Sequence, residues 1–376
     1  MLGNYKLIVD KWAEVWDLLE PYADHSFYRW PSHFDPGAIY IVGRVVLREN
    51  WQAIVDLASQ YPGRIIFSNP AEGSETIKLQ LKRLRITEQV KNGQIGLLCS
   101  GDVEPGFGNV STDVYFSNIV TYLENIAARN QWQQVYESQH KPYTFLMLNG
   151  RLRPHRKWLI DALRQRQLLD RALWTNLNDH VAMPWSSKLT TEQHEPIRLL
   201  PACYEIDQAN LSLDGCQDSF VKHDLFKGIA WGDAVINPRV YTDTYFSLVT
   251  ETIFDYPYSF RTEKIYKPMI MCHPFVVAAN AGYYRDLQRV GFQTFGHLID
   301  ESFDRIDNST DRAKRIVDVV ADICYNGLWE FLTACRSVCE HNYQQLLEHN
   351  QHERNRLPLT LQRYLDERFG IPTPGA

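Results

Sequence analysis

The feature that most constrains this chain is a repeated pattern of short, nearly unbroken apolar runs. Each is followed by a loop and then by a segment with helical spacing. Ala38–Val42 ends at Gly43 and precedes a helix expected over Asn50–Ser59. Arg64–Phe67 leads into a loop at Ser68–Ser74 and a charged helix over Ser74–Val90. Ile95–Cys99 ends in Ser100-Gly-Asp-Val-Glu-Pro-Gly106. Runs that are apolar throughout suit strands covered on both faces, and strands alternating with helices predict βαβ units in a parallel sheet. Upstream, Leu7–Leu19 has helical periodicity and is expected to be a helix.

The pattern then restarts. Asn130–Pro142 is polar and Gln-rich and is read as a linker. Beyond it come a strand at Thr144–Leu148, a loop at Asn149–Pro154 and a helix at His155–Leu168. A strand at Ser247–Thr250, a helix at Thr262–Met271, a buried strand at Pro274–Ala279, helices over 310–350 and a last helix at Leu359–Phe369 complete it. No repeat of solenoid period is visible. The 376 residues match two domains at roughly 150 residues each. The expected organisation is a Rossmann-like domain at 1–135 and a second at 143–350, with a helix in 351–376 placed to pack back on the first. The expected class is α/β, two facing Rossmann-like domains with an inter-domain cleft, where ligands lie at the carboxyl ends of the strands.

Composition narrows the function classes. A net charge of −6 argues against a dedicated nucleic-acid binder, which concentrates basic residues on one face. The 10 Trp, 20 Tyr and 17 Phe suit a core or a carbohydrate cleft. Met1–Glu20 has no continuous apolar stretch, so no signal peptide is expected. No long apolar run suggests a transmembrane segment, and the expected location is cytoplasmic. Seven scattered Cys without a CxxC pair fit reduced thiols, with Cys335 and Cys339 as core residues on one helix face. The sequence has no P-loop, GxGxxG, GxSxG or HExxH motif and no convincing DxD metal motif. Asp214 and Asp218 flank a glycine only weakly, and the His-rich Glu348–Glu353 stretch is expected to be solvated.

Three strand-end loops collect residues with chemistry. Leu148–Arg156 opens a helix and carries Arg151, Arg153, His155 and Arg156. Cations beside the positive end of a helix are unfavourable unless an anion such as a diphosphate neutralises them, and guanidinium forks match phosphate oxygens. A solvated basic loop is the alternative. In the second loop, Thr262 suits an N-cap, with Glu263 in the first turn. Glu263 could accept from two ribose hydroxyls while Lys264 and Lys267 reach phosphate. Ordinary capping and an i,i+4 ion pair explain the same spacing. In the third, Asp102 and Glu104 follow a strand and offer a general base, or simply a turn.

These pieces, in chain order, resemble the inverting α1,3-fucosyltransferase family of GT-B glycosyltransferases. Ser100–Phe107, followed by Thr112-Asp-Val-Tyr-Phe116, is similar to that family's Gly-Glu-Asn segment bearing the base, with Asp102 in the acid position and Glu104 close by. Asn149–Arg156 resembles its Ser-Asn-Cys/Pro loop, Arg156 taking the place of the arginine on the nucleotide diphosphate. Phe246–Lys264 is similar to its Phe-Glu-Asn-Ser … Tyr-Val-Thr-Glu-Lys signature, with Glu251 in the first motif and Phe260 where the family has Tyr. The match continues through Lys267-Pro and Cys272-His-Pro-Phe-Val276 and covers mainly 95–120 and 143–295. The resemblance implies a metal-independent, inverting transferase without a cofactor, using a nucleotide-diphosphate sugar, GDP-linked in that family. It implies Asp102 or Glu104 as base and a donor site from Asn149, Arg151, Arg153, Arg156, Glu251, Phe260, Thr262, Glu263, Lys264 and Lys267. The acceptor would be a glycan, a lipid-linked sugar or a protein. A GT-B enzyme with another donor or a retaining mechanism, or a non-catalytic glycan- or nucleotide-binding module, would share most of these features.

Overall fold

The computed structural model describes residues 5–13, 15–101, 103, 107–112, 131–150, 152–176, 198, 200–201, 203 and 236–369. Two parallel sheets organise them. The first has six strands: β1 (Lys6–Asp10), β2 (His25–Phe27), β3 (Ala38–Val42), β4 (Ile65–Gly73), β5 (Ile95–Ser100) and β6 (Asn109–Ser111). Their order is β2-β1-β3-β4-β5-β6, every neighbouring pair parallel, so all their carboxyl ends share one edge. The second has four: β7 (Phe145–Met147), β8 (Leu173–Trp174), β9 (Phe246–Thr250) and β10 (Phe275–Ala278), ordered β10-β9-β7-β8 and again parallel.

Why the first-sheet strands are apolar throughout is visible in their packing. Tyr40, Val42, Ile65, Phe67, Leu97 and Cys99 face one layer, with the helices Arg44–Glu49, Trp51–Gln60, Ser74–Arg83 and Thr87–Lys91. Leu7, Val9, Ile39, Ile41, Ile66 and Leu98 face the other, where Leu357, Leu361 and Leu365 cover them. Those three leucines belong to the helix Arg336–Phe369, whose earlier turns pack on the second sheet's core through Val338, Cys339 and Leu346. One helix thus crosses both halves. It runs through Pro358, where a break was expected. A proline inside a helix costs about 3 kcal/mol, and three buried leucines at about 1.5–3 kcal/mol each offset it.

Other expectations are corrected. Leu7–Leu19 is not a helix: Lys6–Asp10 is β1 and only Trp16–Leu19 is helical. Pairing with β2 and β3, distant in sequence, overrides the local periodicity. The loop expected at Ser68–Ser74 is largely strand, since β4 continues to Gly73 with a register shift against β5. The 74–90 helix is two helices, broken at Arg85, which has a φ of 56°. In the stretch read as a linker, residues 131–142 contain the turn Trp132–Tyr136, Val135 lies in the second core, and the Tyr136 hydroxyl donates to the Cys272 carbonyl at 2.7 Å. The Glu348–Glu353 stretch is not solvated throughout: His349 and Glu353 are buried, Glu353 accepting two 2.8 Å bonds from Arg356. Cys335 and Cys339 are buried free thiols. Among the described residues no helix is long and apolar enough to cross a membrane.

Candidate functional site

The carboxyl ends of β7 and β9 are stitched together by the first turn of the helix Pro154–Gln165. Arg153 is its extended N-cap and Pro154 its first residue, where a missing N–H carries no penalty. Arg156 is buried, and its Nη2 donates to the carbonyls of Thr250 at 2.8 Å and Glu251 at 3.3 Å. His155 places Nε2 3.0 Å from the Glu251 carbonyl and stacks on Phe254 with ring centres 5.1 Å apart. Burial, then the neighbouring Arg156 cation, pushes the imidazole down to about 3. It is therefore neutral near pH 7, and because a carbonyl only accepts, Nε2 carries the proton. Asn149, also buried, accepts from the Thr250 hydroxyl through Oδ1 at 2.5 Å and donates its backbone N–H to Thr175 at 2.9 Å. Its buried Nδ2 has no hydrogen-bond partner among the described residues.

The second helix start, Glu263–Ile270, is anchored to the same strand end. Thr262 caps it, its hydroxyl accepting from the Lys264 N–H. Glu251 is fully buried and ties this cap down: Oε1 accepts from the Thr262 N–H at 3.1 Å and the Tyr283 hydroxyl at 3.0 Å. Its Oε2 accepts from the Thr262 hydroxyl at 2.8 Å and the Thr252 N–H at 3.2 Å. Burial raises its pKa, against the pull of Lys264 and the Thr262 bonds. Expected to touch the donor, Glu251 instead spends its acceptor capacity on protein and shapes the site through Thr262. Burial also opposes ionisation of Glu263, but Lys264, at 2.6 Å, and Lys267 outweigh it and hold the carboxyl below its ordinary value. Glu263 is thus an ionised, mostly buried acceptor flanked by two ammonium groups.

The two sheets converge here. A Cβ on Gly73, at the end of β4, would lie 3.0 Å from the Phe260 ring and 2.0 Å from the Ser100 carbonyl. A Cβ on Gly101, just past β5, would lie 3.1 Å from the Ser259 carbonyl. Lys78 sits 5.5 Å from the Tyr256 ring centre. The segment after β9 therefore meets the carboxyl ends of β4 and β5, and Phe260, expected at the donor, is buried at that junction. Gly101 has a φ of 66°, and its carbonyl accepts from Asn109 at 3.2 Å, while Val103 is buried. These contacts fix the backbone on either side of Asp102. Asp102, Glu104, Arg151, Asp214 and Asp218 themselves lie outside the described residues.

Asn149, Arg153, Arg156, Glu251, Thr262, Glu263 and Lys264 lie at these two helix starts or the strand ends beside them, and Lys267 lies in the last turn of the second helix. Tyr283, which donates to Glu251, was not singled out from sequence; it stands on a separate helix, Tyr283–Arg289, and no local pattern marks it. A cavity of about 900 Å³ lies alongside, between the 254–257 turn and residues 281–312, and touches none of the expected donor residues. Among the described residues no group of three or more His, Cys, Asp or Glu is arranged to hold a metal ion. No protein-family model matches the chain, and no curated protein matches its sequence.

Proposed function

We propose that the chain is a GT-B-type glycosyltransferase that moves a sugar from a nucleotide-diphosphate donor to an acceptor hydroxyl with inversion. The observation that carries this reading is the grip of Arg156 and His155 on the carbonyls of Thr250 and Glu251, which gathers two helix N-termini at one strand end. Both helices are eight residues or longer, and the positive end of each helix dipole favours an anion there. Arg153, Lys264 and Lys267 add positive charge, and the buried Asn149 amide adds a donor. In this reading Glu263 accepts from the ribose hydroxyls and Lys264 exchanges its Glu263 contact for phosphate.

The reaction needs two events. A carboxylate, Asp102 or Glu104, takes the proton of the acceptor hydroxyl, and the oxygen forms a bond to the anomeric carbon. The bond from that carbon to the diphosphate oxygen breaks, and the bonding pair leaves with the diphosphate. Fixed cations beside the departing oxygen stabilise the charge as it develops. Contact of the 259–260 segment with Gly73 and Gly101 shields the junction from water that would otherwise hydrolyse the donor.

A thermal-shift panel of nucleoside diphosphates and nucleotide sugars tests this. At least one, with GDP the first choice, is expected to raise the melting temperature. Arg156→Lys and Glu263→Gln should each remove most of the shift. A wild-type protein that responds to none, or variants that respond fully, would overturn the reading.

A further inference from the structure

At the far end of the first sheet's carboxyl edge, two aromatic rings stand in solvent. Trp12 is 44% exposed and Tyr28 58% exposed. They meet edge to face with ring centres 5.7 Å apart. Between them and the body of the protein lies Lys11, its ammonium 4.9 Å from the Tyr28 ring centre and 5.5 Å from that of Trp16. Exposed apolar side chains scattered singly are ordinary, but a paired and braced cluster marks a contact surface.

The bracing is specific. Asp10, the last residue of β1, is fully buried and divides its carboxylate between two backbone donors: the Trp12 N–H at 2.9 Å and the Gly43 N–H at 2.9 Å. The Ala13 N–H donates to the Asp10 carbonyl at 3.0 Å and the Lys11 N–H to the Phe27 carbonyl at 2.8 Å. Four backbone ties thus fix the turn that presents Trp12. A ring presented from a fixed backbone binds at lower conformational cost, because no loop ordering has to accompany it.

We infer that Trp12 and Tyr28 form a stacking platform for an oligosaccharide acceptor that extends along the carboxyl edge of the first sheet toward the end of β5. This deepens the transferase reading and rests on it. Sugar rings present faces of polarised C–H bonds that pack on the negative face of an aromatic ring, while Lys11 offers a donor to hydroxyls at the rim. The platform lies on the edge that reacts: β1, β3, β4 and β5 are successive parallel neighbours. Three strand spacings of about 4.8 Å separate β1, which leads into Trp12, from β5, so roughly 14 Å of the sheet's carboxyl edge lies between the platform's nearer strand and the end of β5. A single hexose cannot touch both, whereas a short oligosaccharide can.

The experiment uses the full chain on an array of immobilised mono- and oligosaccharides, with liposomes as a parallel surface and GDP thermal shift as an independent readout. Wild-type protein is expected to retain at least one class of oligosaccharide and no monosaccharide. Trp12→Ala should weaken that binding tenfold or more and Tyr28→Ala several-fold, while Trp12→Phe, which keeps a ring face, retains most of it. Melting temperatures within about 2 °C of wild type in all three variants verify that they are folded, and unchanged GDP shifts verify an intact donor site. Oligosaccharide binding undiminished in Trp12→Ala and Tyr28→Ala would overturn the platform. So would wild-type binding to no glycan, or to liposomes alone. GDP binding without glycan binding would sink the platform and leave the donor site standing, whereas glycan binding lost in these variants without any nucleotide binding would sink the transferase and leave the platform.

Discussion

Glu251→Gln separates two roles for the carboxylate at the end of β9. The substitution keeps the shape but turns one acceptor oxygen into a donor. Facing one way, the new amide opposes the Thr252 N–H; facing the other, it opposes the Thr262 N–H. The Thr262 and Tyr283 hydroxyls can rotate to accept, so one backbone N–H is orphaned in either case, the buried one of Thr262 or the half-buried one of Thr252. That costs about 1–3 kcal/mol. Relief of a buried charge returns part of it, leaving a net loss of about 1–2 kcal/mol. With unfolding entropy near 2.1 cal/mol/K per residue, the melting temperature should fall by about 1–3 °C if the halves unfold together and about 3–5 °C if they unfold apart. Because Thr262 caps the helix that carries Glu263 and Lys264, GDP binding should weaken several-fold in step. Tyr283→Phe should produce a smaller loss of the same kind, and the double variant should lose less than the sum, as expected of residues sharing one network. Calorimetric melting and GDP titration of the four proteins are the assay. An unchanged melting temperature and affinity in Glu251→Gln would refute the anchoring role. Affinity lost a hundredfold at constant stability would make Glu251 a direct ligand contact.

Other substitutions probe separate links. Arg156→Lys keeps the charge but loses the planar guanidinium whose Nη2 reaches both the Thr250 and Glu251 carbonyls, so chemical denaturation should show a loss of about 1–3 kcal/mol. A stability unchanged from wild type would mean that the grip is not needed. Gly73→Ala places a methyl against the Ser100 carbonyl and the Phe260 ring, and overpacking at that junction should destabilise by about 1–3 kcal/mol in the same measurement. Burial raises the Asp10 carboxyl from 3.8 to about 6. The unfolded group ionises first, so its contribution is greatest below pH 4, falls as pH rises to about 6, and totals about 3 kcal/mol at most. Urea midpoints from pH 4 to 7 should therefore fall less steeply in Asp10→Asn than in wild type, and equal slopes would refute this.

Much of the architecture was legible because the signals are local. The apolar runs at Ala38–Val42, Ile95–Cys99 and Ser247–Thr250 lie within strands of the two parallel sheets. The cap at Thr262 was readable from a hydroxyl residue preceding Glu and Lys, and its side chain does accept from the Lys264 N–H. Where local periodicity was misleading, a distant partner decided: β1 pairs with residues 25–27 and 38–41. The helix through Pro358 persists because its leucines find the face of a sheet formed some 250 residues or more earlier in the chain.

The sequence by itself therefore determined the class of secondary structure, the alternation that forces parallel sheets, and the residue types able to face an anion at a helix start. It could not say what those residues touch. Glu251 and Phe260 carry the same motif-level signal as Glu263, yet the fold buries the first under four protein hydrogen bonds and wedges the second against Gly73, because contacts across tens to hundreds of residues use up their surfaces first. Trp12 reads from sequence as one more apolar residue, and only the tie from Asp10 and the open edge of the sheet leave it in water. Composition and spacing fix what a side chain can do; tertiary packing decides which of them remain available to do it.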